Sequence, residues 1–247
     1  MLISVITIVK NDHKNIKNTL LSVINQKIHK KYYEYIVIDG NSTDGTKELI
    51  NNFDTKICFF SKSDKNLYHA INNALKIAKG DYIVFLHSGD LFYDENCLES
   101  IKKIIFKYKK KLDLICYGVA YFNKKKENIR VWKLHKNGKK KEFYNYPHTG
   151  MVTSKKIFKK IGFFNDEYSI CADTDFLIRL FNLNINIFHS KDILVKMLSG
   201  GLSNSYKNLP RKIYEDLKIF YVHFKYKFLL TYFKKIIFKL QKNKFFF

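Results

Sequence analysis

Long apolar runs, paired cysteines and acidic residues are what this sequence lacks. No stretch reaches the roughly 18 apolar residues of a membrane-spanning helix, so a soluble or peripheral protein is expected. The four cysteines, Cys58, Cys97, Cys116 and Cys171, stand far apart with no CxxC pair. That spacing argues against a zinc framework and a disulfide scaffold and fits a reducing cytoplasm. The opening MLISVITIVKND has neither a basic leader nor a small-residue cleavage site and reads as a strand rather than a secretory signal. No internal repeat or clear linker interrupts the chain. Acidic side chains are few: 22 Asp and Glu stand against 45 Lys and Arg, a formal net charge of +23 over 247 residues. Such a surface prefers anionic neighbours, whether nucleic acid, lipid head groups or phosphorylated substrates. Helix-turn-helix, zinc-finger and aromatic RNA-binding signatures are all missing, so no specific nucleic-acid partner is expected.

What is present is a chain with 46% hydrophobic residues, long enough to bury a substantial core as one large α/β domain, with or without a tail. ISVITIV (3–9) reads as a buried strand, and from His13 to Gln26 the residues Ile16, Leu20, Val23 and Ile24 share one helical face. YEYIVID (33–39), KICFFS (56–61) and GDYIVFLH (80–87) are further strands, separated by the helices TKELINNF (46–53) and LYHAINNALKIA (67–78). Strand and helix alternating in this rhythm predict a parallel sheet with helices on both faces. A helix from residue 94 to Tyr108, a strand over 112–122 and helices over 154–161 and 171–183 follow, with the basic stretch 123–143 reading as a hairpin or mobile loop. Ligands of such sheets bind at the carboxyl ends of the strands. Lys10 to Asp12, Asp39 to Asp44, Ser61 to Asp64 and His87 to Asp90 all fall there, bringing acidic and amide groups to one rim. Asp44, before a glycine and a helix, either shapes the turn or joins the site.

SVITIVKND, YIVIDGNSTDGT, SDKNLYHAINNALKIAKGDYIVFLHSGD and PHTGMVTSKKIFKKIGFFNDEYSICADTDFLIRL, in this order and spacing, resemble the family 2 glycosyltransferases of GT-A fold. Within that family the chain is most similar to bacterial polysaccharide- and lipooligosaccharide-assembly members whose fourth strand ends in NSGD. The resemblance implies a GT-A domain over 1–205, a Rossmann-like mixed and mainly parallel sheet flanked by helices; beyond it, 206–247 read from composition as a basic amphipathic helical segment. It also implies a nucleotide-sugar donor, UDP-linked by family preference, a glycan or lipid-linked glycan acceptor, and transfer with inversion.

Residue by residue, the resemblance places Thr7 and Val9 at the end of the first strand, together with Asp39 and Asp64, around the nucleotide base and ribose, whose hydrogen bonds a carboxylate can accept. HSGD matches the DxD-type signature, which makes Asp90 the ligand of a Mn²⁺ or Mg²⁺ ion against the donor diphosphate. One protein carboxylate suffices where phosphates and waters complete the shell. Ser88 and Gly89 line the same turn, Gly89 permitting close backbone approach. His87 stands where relatives carry an acidic or amide residue and is either a hydrogen-bonding wall residue or a ligand. ADTD matches the ED-type pair near a late helix start, making Asp173 the base that takes the acceptor proton, although Ala172 departs from the usual Glu. Asp175 is either an acceptor contact or a structural ligand of the loop. PHTG places His148 near the donor sugar and acceptor cleft. SGGLSNS (199–205), with Gly200 and Gly201, resembles a late loop that closes over the diphosphate with backbone N–H groups. Tyr68 and Trp132 are candidates for stacking on sugar or base, against the alternative of core and hairpin packing.

After Pro210 the pattern is helix-like to the end. From residue 221 it carries seven lysines, no acidic residue and many Phe, Tyr, Ile and Leu. This suits an interfacial amphipathic helix on an anionic leaflet, against a helix packed on the domain or a contact with a partner. The expected location is cytoplasmic, peripheral on the inner face of the cytoplasmic membrane. Two other function classes stand beside the transferase: a noncatalytic nucleotide-sugar-binding protein on the same fold, and a basic nucleic-acid-binding protein.

Overall fold

Burial of the first strands on both faces explains why the chain folds in layers. The computed structural model describes residues 1–53, 57–109, 111–123, 128–132, 146–200 and 206–244. β1 (Ile3–Val9) is buried at all seven residues. It lies parallel to β2 (Tyr33–Asp39) and β4 (Tyr82–Phe85), and β3 (Ile57–Ser61) extends the parallel set beyond β2. Successive side chains of a strand point to opposite faces. Accordingly Ile6, Ile8, Ile36 and Phe85 enter one apolar cluster, and Val5, Val9, Val37 and Val84 enter the other. The second cluster is closed by α1 (His13–Ile24), α2 (Thr46–Asn51) and α4 (Cys97–Lys107). The first is closed by α3 (Leu67–Ile77), α5 (Lys155–Ile161) and α6 (Ala172–Phe181). Helices therefore cover both faces, as the strand and helix rhythm predicts.

The sheet continues beyond β4 with strands the apolar pattern did not reveal. β6 (Leu114–Phe122) is the expected strand, but β8 (Met151–Ser154) runs antiparallel between β4 and β6, and β9 (Ile187–Leu198) runs parallel to β6. The two-residue β5 (Leu91–Phe92) pairs antiparallel with the end of β9, and β7 (Asn128–Trp132) pairs antiparallel with β6. The full order is β3-β2-β1-β4-β8-β6-β9-β5 with β7 beside β6, a mixed α/β sheet. The β5–β9 pairing sets the end of β9 against the turn that follows β4.

The C-terminal run, expected as one helix-like segment, is two helices. α7 (Leu209–Phe224) and α8 (Phe228–Lys244) are separated at Lys225, whose φ of 46° cannot continue a right-handed helix. α8 packs against α7. Ile219 and Phe220 of α7 are fully buried, in the same cluster as Phe85 and Phe176. Truncating a buried aromatic of this kind costs about 3–5 kcal/mol, so α7 is integral to the core. No helix among the described residues is long and apolar enough to cross a membrane.

Candidate active site

Asp39 closes β2 and organises the rim from beneath. Fully buried, its carboxylate accepts the Ser42 N–H at 3.0 Å, the Ser42 hydroxyl, and the Ser61 hydroxyl at 2.8 Å. It thereby ties the 40–45 loop to the end of β3, and the Ser42 hydroxyl in turn accepts the Asn11 N–H at 2.7 Å. Asp44 takes the turn-shaping alternative. It accepts the N–H groups of His13 and Thr46, each at 3.1 Å, together with the Thr46 hydroxyl. The Thr46 hydroxyl, then the His13 N–H, hold its carboxyl below the usual carboxylate range. The side chains of Thr7 and Val9 are likewise engaged within the fold. The Thr7 hydroxyl donates to the Leu86 carbonyl at 2.6 Å and pairs with the Tyr35 hydroxyl at 3.0 Å, and Val9 is fully enclosed by the second cluster. Asp64 sits higher, before α3, with one carboxylate oxygen 2.7 Å from His69 Nδ1 and 2.8 Å from Asn73 Nδ2.

After β4 the chain turns through His87 to Asp90. The Asp90 N–H donates to the His87 carbonyl at 3.0 Å, and Gly89 has a φ of 90° at the third turn position, where a type II turn needs the left-handed region. The Ser88 hydroxyl donates to Asp12 Oδ2 at 2.6 Å and the Gly89 N–H to Thr19 Oγ1 at 3.0 Å, locking the turn to α1. Asp12, which the sequence placed on the rim without a role, is therefore part of the turn's support. Asp90 is buried and accepts the Leu198 N–H from β9 at 3.2 Å. Burial pushes its pKa up to about 7, with the Leu198 N–H offsetting part of the rise.

An adjacent cation stabilises the ionised form of such a desolvated carboxylate. Among the described residues no group of three or more His, Cys, Asp or Glu side chains forms a cage for an ion. A divalent ion at Asp90 would therefore draw its other oxygens from phosphate and water, as hard cations do at phosphate-bearing sites. The residues fit an ion shared with a substrate.

Beside this turn stands an aromatic stack. Phe85 lies 5.1 Å from the His148 ring and 6.2 Å from that of His87, and the two imidazoles are 6.2 Å apart. His87 is pushed down to about 3, first by burial and then by His148, against a smaller opposite pull from Asp173. Burial takes His148 down to about 4. Both rings are thus neutral at pH 7. His87 Nδ1 and His148 Nε2 are buried without a hydrogen-bond partner among the described residues. An unpaired buried polar atom costs about 1–3 kcal/mol, so two in one stack call for a physical account.

Asp173, in the first turn of α6 and half-buried, accepts the Thr174 N–H at 2.8 Å. Its charge acts on His87 and on the buried Tyr68 phenol, whose pKa rises well above its ordinary value through burial and then Asp173. Tyr68 also donates to the Ile170 carbonyl at 3.0 Å. It takes the core-packing alternative and is also a polar support of the segment before Asp173. Asp175 is engaged by structural partners. Nearly buried, it binds Arg179 Nε and His223 Nε2, both at 2.8 Å. Burial alone would raise its carboxyl, but His223 and Arg179 outweigh it and hold the group low. Trp132 belongs to hairpin packing, with the Arg130 guanidinium 5.3 Å from its ring. Gly200, with a φ of 104°, lies two residues after Leu198; Gly201 and 202–205 fall outside the described residues, as does 133–145.

Residues 4–166, which carry β1 to β4, the HSGD turn and His148, match the family described as Glycosyl transferase family 2. The chain belongs to this family. A PGL/p-HBAD biosynthesis glycosyltransferase of Mycobacterium tuberculosis is 26% identical over 179 residues, covering 70% of this chain and 68% of the relative. An uncharacterized glycosyltransferase of Rickettsia typhi is 24% identical over 204 residues, 79% of this chain and 63% of that one. Among solved structures, S. aureus TarS 1-349 in complex with UDP-GlcNAc superposes with a TM-score of 0.72 at 19% identity, over 89% of this chain and 66% of that chain. The mannosyltransferase PcManGT from Pyrobaculum calidifontis, in complex with GDP-Man and Mn²⁺, gives 0.63 at 15% identity, over 88% of this chain and 62% of that chain. At these identities the likeness is one of fold, of GT-A type. The chain spans only 39% of a longer TarS chain. In this family 2 glycosyltransferase, Asp90, the paired histidines and Asp173 stand at one end of the sheet as the candidate active site.

Proposed function

We propose that this family 2 glycosyltransferase moves a sugar from a UDP-sugar to a hydroxyl of a cell-surface glycan built on a lipid carrier, with inversion at the anomeric carbon. The observation that carries this is the meeting, at one rim, of a buried carboxylate fit for a cation, two orphaned imidazole nitrogens and the half-buried Asp173. Asp90 would hold a Mn²⁺ or Mg²⁺ ion, which supplies charge neutralisation to the donor diphosphate. Asp64 faces the nucleoside, while Asp39 acts from below through the 40–45 loop it fixes. Gly200, at the end of the described segment that carries β9, would turn its backbone toward the diphosphate. His87 and His148, both neutral, hydrogen-bond the sugar. Asp173 takes the proton of the acceptor hydroxyl as that oxygen bonds the anomeric carbon; the bond from that carbon to the diphosphate oxygen breaks, and nucleoside diphosphate leaves. Support for UDP comes from the TarS fragment, solved with UDP and with UDP-GlcNAc, and support for manganese from PcManGT, solved with GDP-Man and Mn²⁺.

A thermal-shift panel of UDP-glucose, UDP-galactose, UDP-N-acetylglucosamine and GDP-mannose, with and without Mn²⁺, tests the donor class. A donor at about 100 times its Kd stabilises a fold by about 2.7 kcal/mol, which raises the Tm of a chain this size by about 5–10 °C. At least one UDP-sugar is expected to give that shift with Mn²⁺ and not without it. A silent panel, with a shift from DNA instead, would reverse the assignment.

Membrane attachment on the cytoplasmic face belongs to the same proposal. Tyr221, Tyr226, Leu230, Phe233 and Ile237 are each more than half exposed on α7, α8 and the turn between them, and Lys225, Lys227 and Lys234 are exposed beside them. Basic and bulky apolar groups on one surface suit an anionic leaflet. Each lysine near such a surface contributes about 1 kcal/mol, so the double substitution Lys227→Gln, Lys234→Gln is expected to weaken cosedimentation with phosphatidylglycerol vesicles roughly 30-fold. Equal binding of the unaltered protein to phosphatidylcholine vesicles would remove the electrostatic part of the proposal.

A further inference from the structure

Contacts from α7 and α8 converge on the residues flanking Asp173. Glu215 of α7, only 4% exposed, accepts the N–H and hydroxyl of Ser169 at 2.9 and 3.0 Å, the Ile170 N–H at 2.9 Å and the Cys171 N–H at 3.0 Å. Arg211, one helical turn earlier, braces the same carboxylate at 3.1 Å. Lys235 of α8, also 4% exposed, donates to Asp216 of α7 at 2.6 Å and to the Thr174 hydroxyl at 3.3 Å. His223 of α7 holds Asp175. From the opposite side, Tyr68 of α3 holds the Ile170 carbonyl.

These partners answer a local deficiency. The segment before α6 is irregular, and Cys171 at the helix N-cap makes no side-chain capping bond. The N–H groups there have no intrahelical acceptor, so a carboxylate supplied from elsewhere takes their place. Buried charged groups persist in folds only when paired and hydrogen-bonded, and a fully satisfied network of this kind rigidifies what it binds. Glu215 and Lys235 reach the residues on either side of Asp173 from two different helices, leaving the intervening carboxylate with a fixed direction.

We propose that α7 and α8 are part of the catalytic apparatus, with Glu215 and Lys235 as positioning residues that fix the start of α6 and hence the Asp173 carboxylate. This rests on Asp173 as the base. A boundary at 205/206 would, on this view, part the base from its support. Misplacement of a reacting group by about 1 Å lowers turnover on the order of 10²-fold.

The test uses the full chain with Glu215→Gln, Glu215→Ala and Lys235→Met, and two readouts. The first is nucleoside diphosphate release from the panel sugar giving the largest thermal shift, with UDP and Mn²⁺ binding measured by calorimetry. The second is amide hydrogen exchange of the peptide containing residues 169–175, which needs no ligand. Turnover is expected to fall about 10²-fold in Glu215→Ala and Lys235→Met and less in Glu215→Gln, which keeps one acceptor, while the donor KM and the UDP affinity stay within about threefold. Exchange at 169–175 is expected to rise in all three, with the β1 and β4 peptides unchanged. A lower Tm with wild-type turnover per folded molecule, or unchanged exchange at 169–175, overturns the positioning role. Asp173→Asn, assayed alongside, separates the two claims. Full activity there removes the base itself, whereas an inactive Asp173→Asn beside fully active Glu215 and Lys235 variants removes only the positioning.

Discussion

Asp173→Asn is expected to bind the donor as the wild type does and to lose transfer by about 10²–10⁴-fold, the usual contribution of a positioned general base. The substitution keeps the size of the side chain and an oxygen for the Thr174 N–H it accepts at 2.8 Å, so the start of α6 is preserved. What disappears is the carboxylate proposed to take the acceptor proton. Donor affinity is expected to survive because the Asp90 turn proposed for the metal, and Asp64, lie on other elements. Release of nucleoside diphosphate with and without acceptor, set beside donor affinity, measures both halves. Joint loss of affinity and transfer would make Asp173 a structural residue of the loop.

Asp90→Asn is expected to abolish the Mn²⁺-dependent part of the donor-induced Tm shift, about 5–10 °C in the wild type, and metal-dependent turnover with it. The amide oxygen can still accept the Leu198 N–H, but the charge that draws the cation is gone. The pH dependence follows from the same group. Burial lifts Asp90 from an ordinary 3.8 to about 7, so the folded state binds this proton more tightly than the unfolded chain does. Without metal, its contribution to stability is complete at acid pH and is lost as pH rises through about 7. A cation competes with that proton, and Mn²⁺ affinity is expected to fall about tenfold per pH unit below 7 in the wild type. Titration of Mn²⁺ from pH 5 to 8 checks this. A flat profile, or normal metal-dependent turnover in Asp90→Asn, would remove Asp90 from the metal site.

The parallel half of the sheet was legible because β1, β2 and β4 are largely buried on both faces and so read as nearly unbroken apolar runs. β8 and β9 were not. β8 has four residues, two of them Thr153 and Ser154, and β9 is interrupted by the polar run Ser190 to Asp192. The rim was legible from loop chemistry, but which of its side chains face outward was not. Asp39 and Thr7 carry suitable groups, and only three-dimensional neighbours reveal that Ser42, Ser61, Tyr35 and Leu86 have engaged them. Asp173 and Asp175 show how spacing does help. Two residues on a helix are separated by about 200°, so the two carboxylates face different ways, and Asp175 meets His223. Pairings such as Glu215 with residues 169–171, or His87 with His148, join segments more than forty residues apart. No local pattern in the chain encodes them.

Division of labour between two carboxylates is the centre of the proposed mechanism. It is tested most directly by calorimetric titration of the panel's best UDP-sugar, with Mn²⁺ present, into the wild type, Asp173→Asn and Asp90→Asn. Dissociation constants within about threefold for the wild type and Asp173→Asn, with no measurable binding to Asp90→Asn, are the expected result. Equal affinity in all three proteins, or loss of binding in Asp173→Asn, would contradict it.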